Sequence, residues 1–204
     1  MDPVLLRFIF FGQWGSGKTS ASTRYCEDHY SDHYSVHVGI DFRIKRFNNL
    51  DPNMILQVWD KKTHRGSRTD IYPLILFRDA NAIFVFFDVT NRESFDFVEQ
   101  EIQQIPPLHD IELYIVGTKI DLETKRIISR EEAIEFAQKY TAKYFEISAK
   151  ENINVHQSFD NIVKSIFFKK INEFSESQPS IATSTTPTNT STPTPITKSD
   201  CIIQ

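Results

Sequence analysis

Apolar residues recur along the chain in two patterns that alternate from its beginning onward. One pattern is a short continuous run rich in β-branched and aromatic residues, which is typical of buried strands. It predicts strands near residues 4–11, 38–47, 53–60, 82–88, 112–117 and 143–147. The segments between them have the periodicity of helices, near residues 18–28, 68–78, 92–105, 130–139 and 155–173. Such alternation predicts an α/β fold, a mostly parallel sheet with helices on both faces.

The second and third predicted strands are connected differently from the others. The linking segment, Asn48-Asn49-Leu50-Asp51-Pro52, is a turn signal and contains no helical pattern. These two strands therefore pair as an antiparallel hairpin. We predict a six-stranded sheet with one antiparallel strand at its edge.

The composition changes abruptly after Phe174. The segment from Ser175 to Asp200 consists mostly of Ser, Thr, Pro and Asn and contains no aromatic residue. Such a segment buries too little apolar area to offset its chain entropy, which predicts disorder. We therefore expect a single α/β domain at residues 1–174, a disordered tail at 175–200 and a separate motif at 201–204.

Charge and cysteine content narrow the possible environments of the chain. The net charge of −4 over 204 residues does not favour nucleic acid as a partner. Cys26 and Cys201 are far apart, so we expect no disulfide and a reducing compartment. No basic segment precedes the first apolar run, so we expect no signal peptide. Apolar stretches such as residues 82–87 are too short to span a bilayer.

A complete phosphate-binding loop follows the first predicted strand and opens the first predicted helix. Its residues are Gly12, Gln13, Trp14, Gly15, Ser16, Gly17, Lys18 and Thr19. In this context backbone N–H groups cradle phosphate oxygens, Lys18 reaches the terminal phosphates and the Thr19 hydroxyl binds Mg²⁺. The loop predicts binding of a nucleoside di- or triphosphate.

Three later segments indicate which base is bound. Trp59-Asp60 ends a predicted strand, where the aspartate can reach Mg²⁺ through water. Thr118-Lys119-Ile120-Asp121 ends another, where Asp121 can accept two hydrogen bonds from the guanine edge, which adenine cannot supply. Ser148-Ala149-Lys150 follows the last strand, where backbone N–H groups can meet the guanine oxygen. All three lie at carboxyl ends of strands, where open α/β sheets bind ligands.

This set of motifs, in this order, resembles the Ras superfamily of small GTPases. Individual stretches look closest to its Rab branch: Gly39-Ile40-Asp41-Phe42, Leu56-Gln57-Val58-Trp59-Asp60 and the run from Phe87 to Phe95. The resemblance covers roughly residues 4–172, and Thr118 in place of the commoner asparagine also occurs in the Rho branch.

The resemblance implies a P-loop NTPase small G domain that binds GTP or GDP with Mg²⁺. It places Tyr30 against the guanine face and Tyr34 over the phosphates. It also implies an effector-binding switch I that comprises Tyr34, Ser35, Val36, His37, Val38, Gly39, Ile40, Asp41 and Phe42. The expected protein partners are effectors, an exchange factor and a GTPase activator.

Four residues around the expected γ-phosphate position depart from the family pattern. Trp14 is bulky, and an indole beside the phosphates restricts entry of an arginine finger. His37 replaces the threonine that binds Mg²⁺, and imidazole is a poor ligand for this ion. Thr63 replaces a glycine whose N–H senses the γ-phosphate, and His64 replaces the catalytic glutamine that orients the attacking water. Since positioning carries this reaction, we predict slow hydrolysis or none.

The last residues, Cys201-Ile202-Ile203-Gln204, form a CaaX box, which predicts prenylation of Cys201 by a prenyltransferase. Gln204 favours farnesyl, whereas the Rab resemblance favours geranylgeranyl. One lipid gives reversible membrane binding, and Lys198 is the only basic residue after Lys170. We therefore expect a protein partner to supply the second membrane signal. The predicted location is the cytoplasmic face of a membrane, with a cytosolic pool.

Three classes of function remain open from the residues alone. The first is a prenylated, Rab-like switch in vesicle traffic or signalling with a weakened hydrolytic site. The second is a nucleotide-locked or nucleotide-insensitive scaffold that uses its switch surface only for binding. The third is a P-loop kinase for a small acceptor, which the guanine motif at residues 118–121 and the lack of an acceptor domain disfavour.

Overall fold

The structure is a computed structural model that describes residues 3–32, 39–50, 52–62, 74–107 and 110–176. Its strands are β1 (Val4–Gly12), β2 (Gly39–Phe47), β3 (Met54–Lys62), β4 (Ala82–Asp88), β5 (Glu112–Thr118) and β6 (Lys143–Ile147). Its helices are α1 (Lys18–Glu27), α2 (Leu74–Phe77), α3 (Arg92–Gln104), α4 (Arg130–Lys139) and α5 (Val155–Glu176).

The strands form one six-stranded sheet in the order β2-β3-β1-β4-β5-β6. All neighbouring pairs are parallel except β2 and β3, which pair antiparallel with Phe42 opposite Trp59. The predicted α/β fold, the hairpin and its place at the sheet edge are therefore confirmed. The continuous apolar run of β4 is buried along its whole length, as a central parallel strand requires.

Two apolar cores cover the two faces of the sheet. Alternate side chains of β1 point to opposite faces, so Phe8 and Phe10 enter one core while Ile9 and Phe11 enter the other. The first core packs against α1 and α5, and the second packs against α2, α3 and α4. Phenylalanine dominates the first core, where the rings of Phe10 and Phe84 meet edge to face with centroids 5.2 Å apart.

Three details differ from the sequence prediction. A short 3₁₀ helix, Ile120–Lys125, follows β5 where we predicted no element. Helix α5 continues to Glu176, so Ser175 and Glu176, which we assigned to the tail, are helical. The clustered phenylalanines of residues 159–174 predict core positions, yet Phe168 is exposed. The helix predicted near residues 68–78 is described only at α2.

Several predictions concern residues outside the described ranges. They are the disorder of residues 177–200, the CaaX box at 201–204, and the roles of Tyr34, Ser35, Val36, His37, Val38, Thr63 and His64. Among the described residues, no helix is long and apolar enough to cross a membrane.

Because β1, β4, β5 and β6 run parallel, their carboxyl ends meet at one edge of the sheet. The loops that follow these strands therefore lie side by side. They begin at Gly12, Asp88, Thr118 and Ile147, which brings together motifs that are more than 130 residues apart in the chain. This edge carries the candidate site.

Candidate nucleotide-binding site

The phosphate-binding loop connects β1 to α1 and depends on glycine at two positions. Gly12 has φ +143°, and a Cβ atom there would lie 2.5 Å from the carbonyl oxygen of Phe86. Gly17 has φ +82°, and its Cβ would lie 3.0 Å from Oγ1 of Thr118. Both glycines therefore permit a left-handed backbone and a close approach that other residues would prevent.

Lys18 and Thr19 begin helix α1, whose first backbone N–H groups lack partners within the helix. The Lys18 side chain is almost fully buried, and its Nζ donates to the carbonyl oxygen of Gln13, at 3.3 Å. The lysine thus bends back over the loop. Ser16 Oγ is buried beneath the loop and has no hydrogen-bond partner among the described residues. Lys18 and the N–H groups at the amino end of α1 therefore place positive charge and hydrogen-bond donors at the loop, which favours binding of an anion there.

Asp60 of β3 is fully buried close to this point. Neither of its carboxylate oxygens has a hydrogen bond of normal geometry to the described part of the chain, and Arg43 Nη1 lies 4.0 Å from Oδ2. Burial raises the pKa of Asp60, and the nearby Lys18, Thr19 and Arg43 oppose that rise. A buried carboxylate left in this state is costly unless a cation or donor completes it.

The oxygens of Asp60 and Thr19 fit Mg²⁺, which takes few protein ligands and completes its shell with water and phosphate. Across the described ranges, no group of three or more His, Cys, Asp or Glu residues could hold a metal ion. A magnesium ion at this point would therefore rely on ligands from a bound phosphate, as its preference for six oxygens demands.

Thr118 connects the base-recognition segment to the phosphate-binding loop. Its Oγ1 lies 2.8 Å from the carbonyl oxygen of Ser16 and 3.0 Å from that of Phe87. A hydroxyl has one proton, so it donates to one of these carbonyls at a time. The neighbouring Lys119 has φ +62°, and its Nζ lies 2.6 Å from Asp88 Oδ2. Asp88 is held in turn, because its Oδ1 accepts from the N–H and hydroxyl of Thr90.

Asp121 and the loop after β6 are joined directly. Ser148 Oγ donates to Asp121 Oδ1 at 2.6 Å and accepts from the N–H of Glu151 at 3.1 Å. The N–H and C=O of Ser148 also pair with Ile153, at 3.0 and 2.9 Å. The predicted guanine motif and the predicted backbone contact at residues 148–150 thus lie on the same side of one cleft.

Two adjoining clefts, each of about 220 Å³, follow this edge of the sheet. The phosphate-side cleft is lined by Trp14, Gly15, Lys18 and Thr19, and the base-side cleft by Thr118, Asp121, Ala149 and Lys150. Tyr30 and Lys119 line both. Burial, with a hydrogen bond to Asp32, raises the pKa of Tyr30 to about 12, so the ring stays neutral beside the cleft.

A larger cleft of about 340 Å³ lies elsewhere, between α5 and the segments that precede β4 and β5. Its lining includes Arg78, Asn81, Glu112 and Lys170 and none of the predicted site residues. The amino ends of the parallel strands meet there, whereas ligands of open α/β sheets bind at the carboxyl ends. The two smaller clefts are therefore the candidate site.

The described part of the predicted effector segment is an exposed apolar face of β2. Ile40 and Phe42 are close to half exposed, and the next outward residue, Ile44, is similar. Phe42 meets the ring of Trp59 edge to face at 5.7 Å. Strand pairing with β3 holds these side chains in place.

Four contacts at the site were not predicted from the sequence. Gln13 Nε2 donates to Glu93 Oε1 at 2.9 Å, which ties the phosphate-binding loop to α3. Asp88 holds Lys119, and Arg43 approaches Asp60. Arg24 of α1 binds the backbone of residues 149 and 150. Each joins distant parts of the chain, so no local spacing marks it.

The fold and these loops define an α/β domain with a phosphate-binding loop. A family model described as "Ras family" matches residues 7–168, and the chain belongs to the Ras family of small GTPases.

"Ras-related protein Rab-3" of Caenorhabditis elegans is 32% identical over 164 residues, 79% of this chain and 74% of that protein. "Ras-related protein Rab-3A" of Homo sapiens is 31% identical over 179 residues, 87% and 80% of the two chains. "Ras-related protein Rab-3B" of Rattus norvegicus is 30% identical over 199 residues, 97% and 90%. The predicted resemblance is confirmed, and Ras-family membership implies a guanine nucleotide and Mg²⁺.

Proposed function

We propose that the protein is a membrane-anchored, Rab-like switch that binds GTP and GDP with Mg²⁺ and hydrolyses GTP slowly. The observation that carries the proposal is the pair of adjoining clefts, one lined by Lys18 and the other by Asp121. The buried carboxylate of Asp60 lies within electrostatic reach of Lys18. A nucleotide laid along the two clefts places its phosphates in the glycine-rich loop and its base against Asp121.

Each half of the site has a defined task in this proposal. The loop N–H groups and Lys18 hold the phosphates, and Thr19 and Asp60 hold Mg²⁺, which neutralises phosphate charge when bound. Asp121 accepts from the N1–H and 2-amino groups of guanine. Backbone N–H groups of residues 149 and 150 donate to the guanine oxygen, and Tyr30 and Lys119 flank the base and ribose. The residues from Gly12 to Thr19, Thr118 and Ser148 complete this set.

The weak hydrolysis in the proposal rests on the γ-phosphate end. Trp14 lines the phosphate-side cleft, where a bulky indole restricts access by an activating arginine. The sequence also has His37, Thr63 and His64 at positions that the family uses to bind Mg²⁺, sense the γ-phosphate and orient water. His64 is a doubtful catalytic residue because a neutral imidazole has one acceptor and a shorter reach than glutamine.

Single-turnover hydrolysis of GTP with Mg²⁺ tests this part. We expect a rate well below that of a human Rab-3A sample measured alongside, and a higher rate for the double variant Thr63→Gly, His64→Gln. The matched control is Thr141→Gly, His109→Gln, which makes the same substitutions at two positions outside the predicted site residues. An equal rate in the wild type and Rab-3A would refute slow hydrolysis.

The CaaX box supports the proposed membrane attachment through Cys201, and the similarity to Rab proteins supports the proposed trafficking role. Cell fractionation of the wild type and Cys201→Ser tests the anchor. We expect the variant to leave the membrane fraction, while Cys26→Ser, at the half-buried free thiol of α1, stays with it. Undiminished membrane association of Cys201→Ser would exclude prenyl anchoring.

A second candidate function is a scaffold whose effector binding ignores the nucleotide. The apolar face formed by Ile40, Phe42 and Ile44 favours it, because the pairing of β2 with β3 positions these residues without help from a phosphate. Effector binding measured with GDP and with a non-hydrolysable GTP analogue separates the two. A strong preference for the GTP form supports the switch, and equal affinity supports the scaffold.

A further inference from the structure

The loop at residues 149–150 is held by a charged side chain from another part of the chain. Arg24 lies in the last turn of α1, 125 residues before Ala149, and its side chain is 16% exposed. Its Nε donates to the carbonyl oxygen of Ala149 at 2.9 Å, and Nη2 lies 3.5 Å from that of Lys150. A guanidinium has a rigid planar fork, so these two contacts fix the direction of both carbonyls together.

Fixing a carbonyl also fixes the next N–H, because a peptide unit is planar. The C=O of Ala149 and the N–H of Lys150 belong to one such plane, and that N–H faces away from the carbonyl. Both residues line the base-side cleft. By holding the carbonyl, Arg24 therefore sets the orientation of an N–H donor at the position where the proposed guanine oxygen lies.

A second set of contacts keeps Arg24 in this orientation. Its Nη1 donates to the carbonyl oxygen of Asp28 at 3.0 Å and to Asp28 Oδ1 at 3.3 Å. His156 at the start of α5 has Nε2 3.3 Å from the same carboxylate oxygen. The end of α1 and the loop at 149–150 thus meet at the Arg24 guanidinium, and the beginning of α5 is joined to it through Asp28.

We propose that Arg24 is a positioning residue for guanine recognition, acting through the Lys150 N–H on the oxygen at position 6 of the base. This inference rests on the proposed guanine-nucleotide binding and deepens it. Asp121 reads the opposite group of the base, the 2-amino substituent, and does not touch Arg24. The two halves of base recognition are therefore separable, and loss of Arg24 weakens only one of them.

The experiment measures affinity for three nucleotides in the full chain. GDP carries both recognised groups, 6-thio-GDP replaces the oxygen by a weaker acceptor, and IDP lacks the 2-amino group. In Arg24→Ala we expect GDP to dissociate about tenfold faster, the scale of one well-placed hydrogen bond. The preference for GDP over 6-thio-GDP falls by the part that the Lys150 N–H supplies, while the preference for GDP over IDP stays as in the wild type.

Three further variants make the result specific. Arg24→Lys keeps the charge but not the planar fork, so we expect it to lose the same part of the preference over 6-thio-GDP as Arg24→Ala. Asp28→Asn keeps the fold and loosens Arg24, so we expect a smaller loss in the same ratio. Arg92→Ala is the matched control, because Arg92 pairs with Glu132 on the surface between α3 and α4. We expect it to leave all three affinities unchanged.

The outcomes distinguish this inference from the proposed function. If the wild type binds GDP and both Arg24 variants keep the preference over 6-thio-GDP, the inference is wrong and guanine binding stands. Equal losses against 6-thio-GDP and IDP also overturn it, because they show general loosening of the site. If the wild type binds no guanine nucleotide, the proposed function and this inference both fail.

Discussion

The base-side and phosphate-side halves of the site differ in how far the protein satisfies its own polar groups. On the base side, Ser148 binds Asp121, Thr118 binds backbone carbonyls, and Lys119 pairs with Asp88. On the phosphate side, Ser16 and Asp60 are buried with no hydrogen-bond partner of normal geometry among the described residues. The protein's own contacts therefore fix the base side, whereas the phosphate side has buried polar groups that a ligand can complete.

This contrast has an energetic reason. A preorganised base-recognition half gives specificity, because a base that cannot match fixed donors and acceptors leaves them unpaired. On the phosphate side, a ligand that completes the buried polar groups stabilises the folded state. Ligand binding and folding stability are therefore coupled there. The two halves meet at Thr118, which ties the guanine segment to the phosphate-binding loop.

The largest expected effect comes from removing Asp121, the carboxylate that we propose reads the base. Asp121→Ala should lower GDP affinity by about 10³-fold or more, the scale for a site built around a lost hydrogen-bonding group. Competition against labelled GDP measures it, and ADP affinity should change far less. Glu123→Ala, on the same 3₁₀ helix, is the control and should behave as the wild type. An Asp121→Ala protein that still prefers GDP would show that the base is recognised elsewhere.

The sequence predicts the fold well because the signals of its strands and helices are local, and the motif residues also form local patterns. β4 is an almost continuous apolar run and β2 alternates apolar with polar residues, and the predicted limits of all six strands fall within two residues of the observed ones. The loop that begins at Gly12 and the segment that begins at Thr118 are specific combinations of residues at fixed spacing, which makes them easy to find in the sequence. The Arg24 contact with Ala149 and the approach of Arg43 to Asp60 leave no such signal, because a polar contact across the fold imposes no spacing on the chain.

The 3₁₀ helix Ile120–Lys125 was missed for a related reason. It has no buried residue, so it leaves no apolar periodicity in the sequence. Its start depends on Lys119 in a left-handed conformation, where a non-glycine residue is uncommon. The tertiary pairing of Lys119 with Asp88 holds it there. Sequence reasoning thus located the guanine motif but not the backbone that presents it.

The second prediction concerns the buried charge on the phosphate side. Asp60→Asn removes a desolvated carboxylate, so the protein should become more stable by about 1–3 kcal/mol when Mg²⁺ is chelated. When Mg²⁺ and GDP replace EDTA, the unfolding free energy of Asp60→Asn should rise by less than that of the wild type. Thermal unfolding in EDTA and in Mg²⁺ measures both. Asp41→Asn, on the partly exposed residue paired with Asp60 across the hairpin, is the comparison and should gain less in EDTA.

The third prediction tests the hydrogen bond by which Thr118 connects the base side to the phosphate side. Thr118→Val keeps the shape of the side chain but removes the hydroxyl that donates to the carbonyl of Ser16 or Phe87. Leaving buried carbonyls without this donor should cost about 1 kcal/mol of unfolding free energy. Nucleotide should also dissociate faster, because the phosphate-binding loop is no longer tied to the base side. Thr118→Ser keeps the hydroxyl and should retain most of both properties. Unchanged dissociation in Thr118→Val would show that the halves act independently.

The smallest expected effect compares two carboxylates whose pKa values shift in opposite directions. Hydrogen bonds from His156 and Arg24 lower the pKa of Asp28 on the base side, whereas burial raises the pKa of Asp60 on the phosphate side. Asp28 therefore contributes stability above its unfolded pKa of about 3.9, and that contribution is lost as pH falls through its lower folded pKa.

Asp60 has the reverse sign: in EDTA, its cost is relieved as pH falls from above its raised folded pKa toward about 3.9. Unfolding curves in EDTA from neutral pH to pH 3 measure both effects. Asp60→Asn should reduce the pH dependence of the unfolding free energy at the higher pH values. Asp28→Asn should reduce it at the lowest pH values, where the change is small because Asp28 is on the surface. A profile that moves the same way in both variants would contradict the difference between the halves. Each variant alters a separate pH window of the unfolding profile. The profile can therefore show that Asp28 stabilises the base side while Asp60 destabilises the phosphate side.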